Sequence, residues 1–290
     1  MYKIVEKKFI APGVTLARIS APRIARKRRA GQFVILRLYE EGERIPLTIA
    51  DADPEEGTIT LVSQRVGKST AYFEDMPAEQ GIMDVAGPLG RPTHVEKYGR
   101  VACIGGGIGI APLHPIAQAM RAAGNHVTSI LGGRTKDFII LEDRMRAASD
   151  ETIICTDDGS YGLKGFVTDA LRDLVAGGFH FDFVVAIGPP PMMKAVCRLT
   201  KELGIPTVVS LNALMVDGTG MCGACRVTVG GQTKFVCVDG PEFDGHQVDF
   251  DLLMHRLRIF DEDNAEAMRI YQAEGGNPNC VKKTGGVVEK

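Results

Sequence analysis

The sequence has almost no charge bias: 34 basic against 36 acidic residues leave a formal net charge of -2 over 290 residues. With no positive field to grip a phosphate backbone, nucleic-acid binding is set aside, and bulk charge selects no acidic substrate either. No run approaches the roughly 20 apolar residues that span a bilayer. The start Met-Tyr-Lys-Ile-Val-Glu-Lys-Lys lacks the apolar stretch of a secretory signal, so the expected location is the cytoplasm. Cysteine is scarce and odd in number, seven in all, which argues against a secreted disulfide framework. There is no internal repeat and no low-complexity segment. What remains is a globular chain, 44% hydrophobic and long enough for about two compact units.

Residues 1–98 read as β-rich, because short alternating runs such as 31–39 and 57–63 are bounded by Gly, Pro and Asp. A small antiparallel β-barrel is expected there. The basic run 23–29 lies between two such strands and reads as a solvated loop. After residues 97–100 the texture changes. Buried-strand patterns at 100–104, 126–131, 151–155, 181–187 and 207–211 alternate with helical patterns at 112–123, 165–176 and 192–203, as in an open doubly wound α/β parallel sheet. From about residue 211 the chain is glycine-rich, then helical over 248–273, and its end, with Gly275, Gly276, Gly285 and Gly286, reads as a loose tail. The expected division is 1–98, 99–211 and 212–290.

Three motifs fall at predicted strand ends. Gly105, Gly106, Gly107, Ile108, Gly109, Ile110, Ala111 and Pro112 follow one strand and open a helix, where glycines admit a pyrophosphate to backbone N–H groups and the helix dipole favours its charge. The alternative is a tight turn with no ligand. Gly188, Pro189, Pro190, Pro191, Met192 and Met193 follow a second strand. The stiff prolines suit a ligand-bearing edge, while the methionines alone read as core. Asp157 and Asp158 follow a third. Near a ribose they accept from its hydroxyls and repel a 2′-phosphate, favouring NAD over NADP; otherwise they make a turn.

Asp217, Cys222, Cys225 and Cys237 reproduce the C-x4-C-x2-C…C spacing of plant-type iron–sulfur sites with aspartate in the first place. Glycines between them let N–H groups turn towards bridging sulfides, so a [2Fe–2S] cluster is expected. A structural zinc is the alternative, with His246 competing for the place of Asp217. Cys103, Cys155 and Cys197 read as small core residues, and Cys280 is unassigned. In the β-rich part, Arg44, Pro46, Leu47 and Thr48 precede Gly67, Lys68, Ser69 and Thr70. An arginine fork suits a phosphate, a threonine hydroxyl can reach a flavin nitrogen, and the Gly-Lys-Ser-Thr turn offers a second anion site, though not a Walker A loop.

With these motifs in this order, residues 3–245 resemble the ferredoxin-NADP reductase superfamily, and within it the electron-transfer subunits of dihydroorotate dehydrogenase. The aspartate-first ligand set is similar to the branch serving electron bifurcation between ferredoxin and pyridine nucleotide. The resemblance implies an FAD-binding barrel at 1–98, with Arg44, Pro46, Leu47, Thr48, Ser63, Gln64, Gly67, Ser69 and Thr70 at the flavin and Thr48 near its N5. It implies an NAD(H)-binding domain at 99–211 that also uses Gly132 and Arg134, and a [2Fe–2S] segment at 212–290. It further implies a larger partner subunit carrying FAD and [4Fe–4S] clusters, with ferredoxin acting through it. Ala30 replaces the family's proline before Gly31-Gln32-Phe33, and Arg44 stands one residue further from Thr48 than the family spacing. Leu252, Leu253, Leu257, Ile259 and Phe260 form either a docking face or the packing face of a helix on its own domain. The expected function is NAD(H)-linked flavin electron transfer. Its rivals are the dihydroorotate dehydrogenase subunit itself and a zinc-stabilised, non-enzymatic NAD(H) sensor.

Overall fold

The computed structural model describes residues 1–276, so Cys280 and the end of the expected tail lie outside the described residues. The first part comprises β1 (Ile4–Ala11), β2 (Val14–Ser20), α1 (Pro22–Lys27), β3 (Phe33–Arg37), β4 (Arg44–Asp53), β5 (Thr58–Gln64), α2 (Lys68–Asp75) and β6 (Asp84–Leu89). The strands form one antiparallel sheet in the order β1-β2-β5-β4-β3-β6. Its two ends meet where Tyr2 and Ile82 exchange backbone hydrogen bonds of 2.6 and 2.8 Å. The period-2 pattern splits β5 between two cores: Ile59 and Leu61 point inside the barrel, while Val62 points outwards to the second part of the molecule. The basic run at 23–29 is not a loop. Pro22 sits in the first turn of α1, Ile24 and Ala25 bury their side chains in the barrel core, and Arg28 turns onto Asp51 at 3.5 Å.

The second part runs through β7 (Arg100–Gly106), α3 (Ile110–Ala122), β8 (His126–Gly133), α4 (Glu142–Ala148), β9 (Glu151–Thr156), β10 (Leu163–Lys164), α5 (Val167–Ala176), β11 (Phe183–Ile187), α6 (Pro190–Glu202) and β12 (Thr207–Ser210). The strands are parallel in the order β10-β9-β8-β7-β11-β12. The chain winds one way from β7 to β10 and the other way from β11, so the switch point lies between β7 and β11. Ligands of such sheets bind outside that crevice.

The remainder comprises the hairpin β13 (Arg226–Val229) and β14 (Gln232–Phe235), a single turn α7 (Val236–Asp239), β15 (Glu242–Asp244), α8 (Phe250–Leu257) and α9 (Asp261–Ala273). β15 adds an antiparallel edge strand beside β12. The helix expected over 248–273 is two helices. Leu253 is buried against the core and Leu257 packs on it, whereas Leu252, Ile259 and Phe260 are exposed. The second helix returns to the barrel, where Tyr271 is fully buried and donates its hydroxyl to Asp75 at 3.0 Å, the carboxylate that also holds Arg65. None of the described helices is long and apolar enough to cross a membrane.

The hydrophobic cores are shared between these parts. Val14, Leu16, Ala50 and Val62 of the barrel pack with Ile110, Leu113 and Ile116 of α3. Phe33 and Ile35 pack with the opposite face of the parallel sheet and with Met215, Cys225 and Cys237. Glu242 turns its carboxyl end into this junction, hydrogen-bonded by the Thr93 hydroxyl and facing Gly31, and burial pushes its pKa up to about 7. The folded state therefore holds this proton more tightly than the unfolded chain. Its contribution is full below the unfolded value near 4.5 and is lost as pH rises towards 7. Glu242→Gln is expected to leave stability unchanged below pH ~4.5 and to raise it above pH ~7 by up to about 3 kcal/mol, read from urea melts across pH.

Candidate functional site

The glycine-rich motif follows β7 as a single 3-10 turn, Gly107–Gly109, that runs into α3, two residues earlier than the expected helix start. Pro112 stands in the first turn, where its missing N–H costs nothing. Gly109 lies so close to the end of β11 that a Cβ there would meet the Ile187 carbonyl oxygen at 2.3 Å. Gly107, at φ +54°, has open space around it. The two motif loops thus pack backbone to backbone at the switch point, and beside them opens a cavity of about 580 Å³.

Of the expected nucleotide residues, Gly106, Gly107, Ile108, Gly132, Arg134, Asp157, Pro189 and Met192 line this cavity, together with Gln64 from the barrel. Gly105, Ala111 and Met193 are buried behind it as packing. Gly109, Pro112, Gly188 and Pro190 shape the loops without lining it. Asp158 points into its own turn, accepting the Ser160 N–H at 2.9 Å, and hydrogen bonds from Ser160 hold its carboxyl below the usual range. The turn reading therefore applies to Asp158, and Asp157 alone faces the cavity. Val14, Phe138, Ile140, Phe166 and Thr168 also line it and belong to none of the motifs above. Phe166 falls in the first turn of the helix expected over 165–176, whereas α5 begins one residue after it.

On the barrel, Thr48 is half-buried opposite Phe33 in the β3–β4 register, flanked by Leu47 and Pro46. Ser63 is buried with its hydroxyl lacking a partner among the described residues. Thr70 turns its hydroxyl back to the Val66 and Gly67 N–H groups at 2.9 and 3.1 Å, closing the start of α2. Ser69 donates to Glu43, which also faces Lys68 at 3.7 Å. A carboxylate thus rests where the helix start, a hydroxyl and an ammonium converge, and the same donors suit a phosphate. Arg44 is exposed next along the chain, opposite Arg37, which is itself paired with Asp84. An anion at Arg44 would relieve that like-charged pair.

The cysteine loop brings Cys225 and Cys237 to a sulfur–sulfur distance of 3.2 Å, and Cys222 is exposed. Asp217 accepts backbone N–H groups from Thr219, Met221 and Cys222 at 3.0, 3.2 and 3.0 Å, and these bonds, that of Thr219 foremost, hold its pKa down to about 2. The N–H groups of this glycine loop thus converge on an anion, here the carboxylate itself. Arg226 and Arg256 hold the loop by donating to the Gly223 and Ala224 carbonyls at 3.2 and 3.1 Å. Among the described residues no three His, Cys, Asp or Glu side chains converge as they would on one ion. Asp217 with Cys222 and Cys225 with Cys237 form two pairs, the division that two irons require. His246 is engaged elsewhere, with its ring on the Thr200 hydroxyl at 2.9 Å. Cys103, Cys155 and Cys197 are buried core thiols, pushed by burial to about 12, 11 and 12.

Two family models match parts of the chain. Residues 212–249 match the iron–sulfur cluster binding domain of dihydroorotate dehydrogenase B, and residues 103–198 match an oxidoreductase NAD-binding domain. The chain is 51% identical over 260 residues to the dihydroorotate dehydrogenase B (NAD(+)) electron transfer subunit homolog of Thermotoga maritima, covering 90% of this chain and 92% of that one. It is 35% identical over 255 residues to the corresponding subunit of Geobacillus thermodenitrificans, covering 84% and 96%. Among solved structures, a chain of an NADH-dependent reduced ferredoxin-NADP oxidoreductase, described in connection with flavin-based electron bifurcation, superposes with a TM-score of 0.89 at 48% identity, covering 94% of this chain and 98% of that one.

The packing at the switch point is directly testable. Gly109→Ala is expected to lower stability by about 1–3 kcal/mol and to weaken NADH binding by forcing the two loops apart. Gly107→Ala, strained but unobstructed, is expected to cost about 1 kcal/mol. Paired urea melts and NADH titrations check the ordering.

Proposed function

The chain belongs to the dihydroorotate dehydrogenase B electron-transfer subunit family, and from that premise we propose that it exchanges hydride between NAD(H) and a barrel-bound FAD and passes single electrons through a [2Fe–2S] cluster to a larger partner subunit. The observation that carries this reading is the cavity joining the switch-point loops to Gln64 of the barrel, which supports a nicotinamide meeting a flavin there. When bound, the flavin supplies the conversion between two-electron and one-electron chemistry, so no side chain need act as acid or base.

The chain's own residues bind and align. Gly106, Gly107 and Ile108 present backbone to the dinucleotide, Met192 and Pro189 wall its nicotinamide side, and Asp157 accepts from a ribose hydroxyl, which favours NAD. Thr48 and Gln64 serve the flavin ring, whereas the buried Ser63 hydroxyl, unpartnered among the described residues like that of Thr15 opposite it, falls on the inward face of β5 with Ile59 and Leu61. Arg44, Gly67, Ser69 and the turn closed by Thr70 hold the FAD phosphates in the place that Glu43 takes here. Asp217, Cys222, Cys225 and Cys237 hold the cluster. The aspartate-first set and the likeness at 48% identity favour the role of small subunit in a bifurcating NADH-dependent ferredoxin:NADP oxidoreductase, with a partner that carries FAD and [4Fe–4S] clusters and reaches ferredoxin. The names of the relatives favour a second reading, delivery of electrons between NAD and dihydroorotate dehydrogenase. Assaying the native complex separates them, by ferredoxin-dependent or by dihydroorotate-dependent reduction of pyridine nucleotide.

Anaerobically purified protein is expected to show flavin bands with a broad iron–sulfur shoulder, two irons per chain and no zinc; a colourless preparation with stoichiometric zinc would overturn the reading. Asp217→Cys is expected to keep both irons and shift the cluster's reduction potential in an EPR-monitored titration. An unchanged potential and signal would remove Asp217 from the ligands.

A further inference from the structure

The peptides between Cys222 and Cys225 are held by two arginines. Arg226 donates its guanidinium to the Gly223 carbonyl at 3.2 Å, and Arg256 donates to the Ala224 carbonyl at 3.1 Å. In a trans peptide the N–H points opposite to the C=O, so tying these carbonyls to guanidinium groups turns the Ala224 and Cys225 N–H groups the other way. Arg226 reaches its carbonyl from the first residue of β13. Arg256 arrives from α8, whose start is fixed by Asp249 accepting the Leu252 N–H at 2.9 Å and by the Lys194–Asp251 ion pair at 2.7 Å. Leu253 is buried in the core that contains Cys225 and Cys237, and Arg256, three residues on, leaves the helix on the same side.

The charges of these two arginines are uncompensated by carboxylates. Arg28, Arg37 and Arg65 of the barrel each pair with a carboxylate. Arg91, which donates to the Val238 carbonyl beside Cys237, faces Asp239 at 3.6 Å. Arg226 and Arg256 have no carboxylate partner among the described residues. Burial and the neighbouring Arg226 guanidinium lower the pKa of Arg256, and Cys225 opposes them. Two like charges are thus brought together on one loop, which is unfavourable by itself. The group of opposite sign that acts on Arg256 is a proposed cluster ligand.

We infer that Arg226 and Arg256 are positioning residues of the iron–sulfur loop whose charges hold the cluster's reduction potential up and so favour its acceptance of an electron. The inference rests on the proposed [2Fe–2S] site and deepens it. Asp217, Cys222, Cys225 and Cys237 are anionic ligands, and reduction adds one further negative charge, so nearby cations stabilise the reduced form more than the oxidised one. Neither arginine is a ligand, and neither exchanges a proton or an electron.

The test is a potentiometric titration of the full, cofactor-loaded chain, read from the reduced-cluster EPR signal, with iron counted in each variant. Arg256→Gln keeps a donor for the Ala224 carbonyl and removes the charge, whereas Arg256→Lys keeps the charge and loses the guanidinium fork. Arg256→Gln is expected to lower the reduction equilibrium constant about threefold, about 28 mV at 59 mV per decade. Arg226→Gln is expected to shift it in the same direction, and Arg256→Lys to stay close to the parent. An unchanged potential in both Gln variants, or Arg256→Lys falling as far as Arg256→Gln, would overturn the inference while leaving the cluster standing. If Arg256→Gln loses its iron, the same Gln and Lys pair at the exposed Arg226 decides. A parent protein without iron would remove the cluster reading, and the inference with it.

Discussion

The contact on which the rest of the molecule depends is the one between Gly109 and the Ile187 carbonyl. No side chain fits between them, so the turn that opens α3 and the loop that opens α6 share one surface across the switch point of the parallel sheet. That contact makes the strand ends of β7 and β11 a single floor. The barrel then supplies a wall, because Val14, Leu16, Ala50 and Val62 are buried against α3 as firmly as any interior residue. The cleft between floor and wall is therefore built into the hydrophobic core and needs no closing motion to exist.

The same economy places the cysteine loop. A Cβ on Gly218 would meet Leu89 and Ile35 at 2.8 and 2.9 Å, so the loop carrying Asp217 lies directly on the barrel strands. Arg91 reinforces that seat, with its N–H on the Gly240 carbonyl at 2.7 Å and its guanidinium on the Val238 carbonyl at 3.1 Å. Behind the loop, Cys225 and Cys237 belong to the core that also contains Phe33 and Ile35. Finally, α9 carries the chain back across the barrel, where Tyr271 is held by Asp75 and Arg65. Three stretches with different compositions are in this way welded into one framework, which suits a protein whose task is to keep redox groups at fixed separations.

Much of this was legible in the sequence, because local patterns carry it. The period-2 runs foretold the antiparallel strands, the β-branched runs between helical patterns foretold the parallel sheet, and the cysteine spacing located the loop. What escaped was non-local. The run at 23–29 looked like a solvated loop because its basic residues dominate the composition, whereas Ile24 and Ala25 decide its fate once a barrel core is available to receive them. Asp157 and Asp158 are neighbours of one type, and only the turn geometry shows that one faces the cavity while the other accepts the Ser160 N–H. β15 and the return of α9 depend on partners about 30 and 200 residues away, which no window of the sequence contains.

The proposed electron route runs from nicotinamide in the cleft to a flavin and then to the cysteine loop. It is tested most directly by mixing the cofactor-loaded protein anaerobically with NADH deuterated at C4, following the flavin band optically and the cluster by freeze-quenched EPR. On this route flavin bleaching comes first and is slowed by deuterium, with the reduced-cluster signal following it. A cluster signal that rises without flavin bleaching, or bleaching indifferent to deuterium on either face of C4, would contradict it.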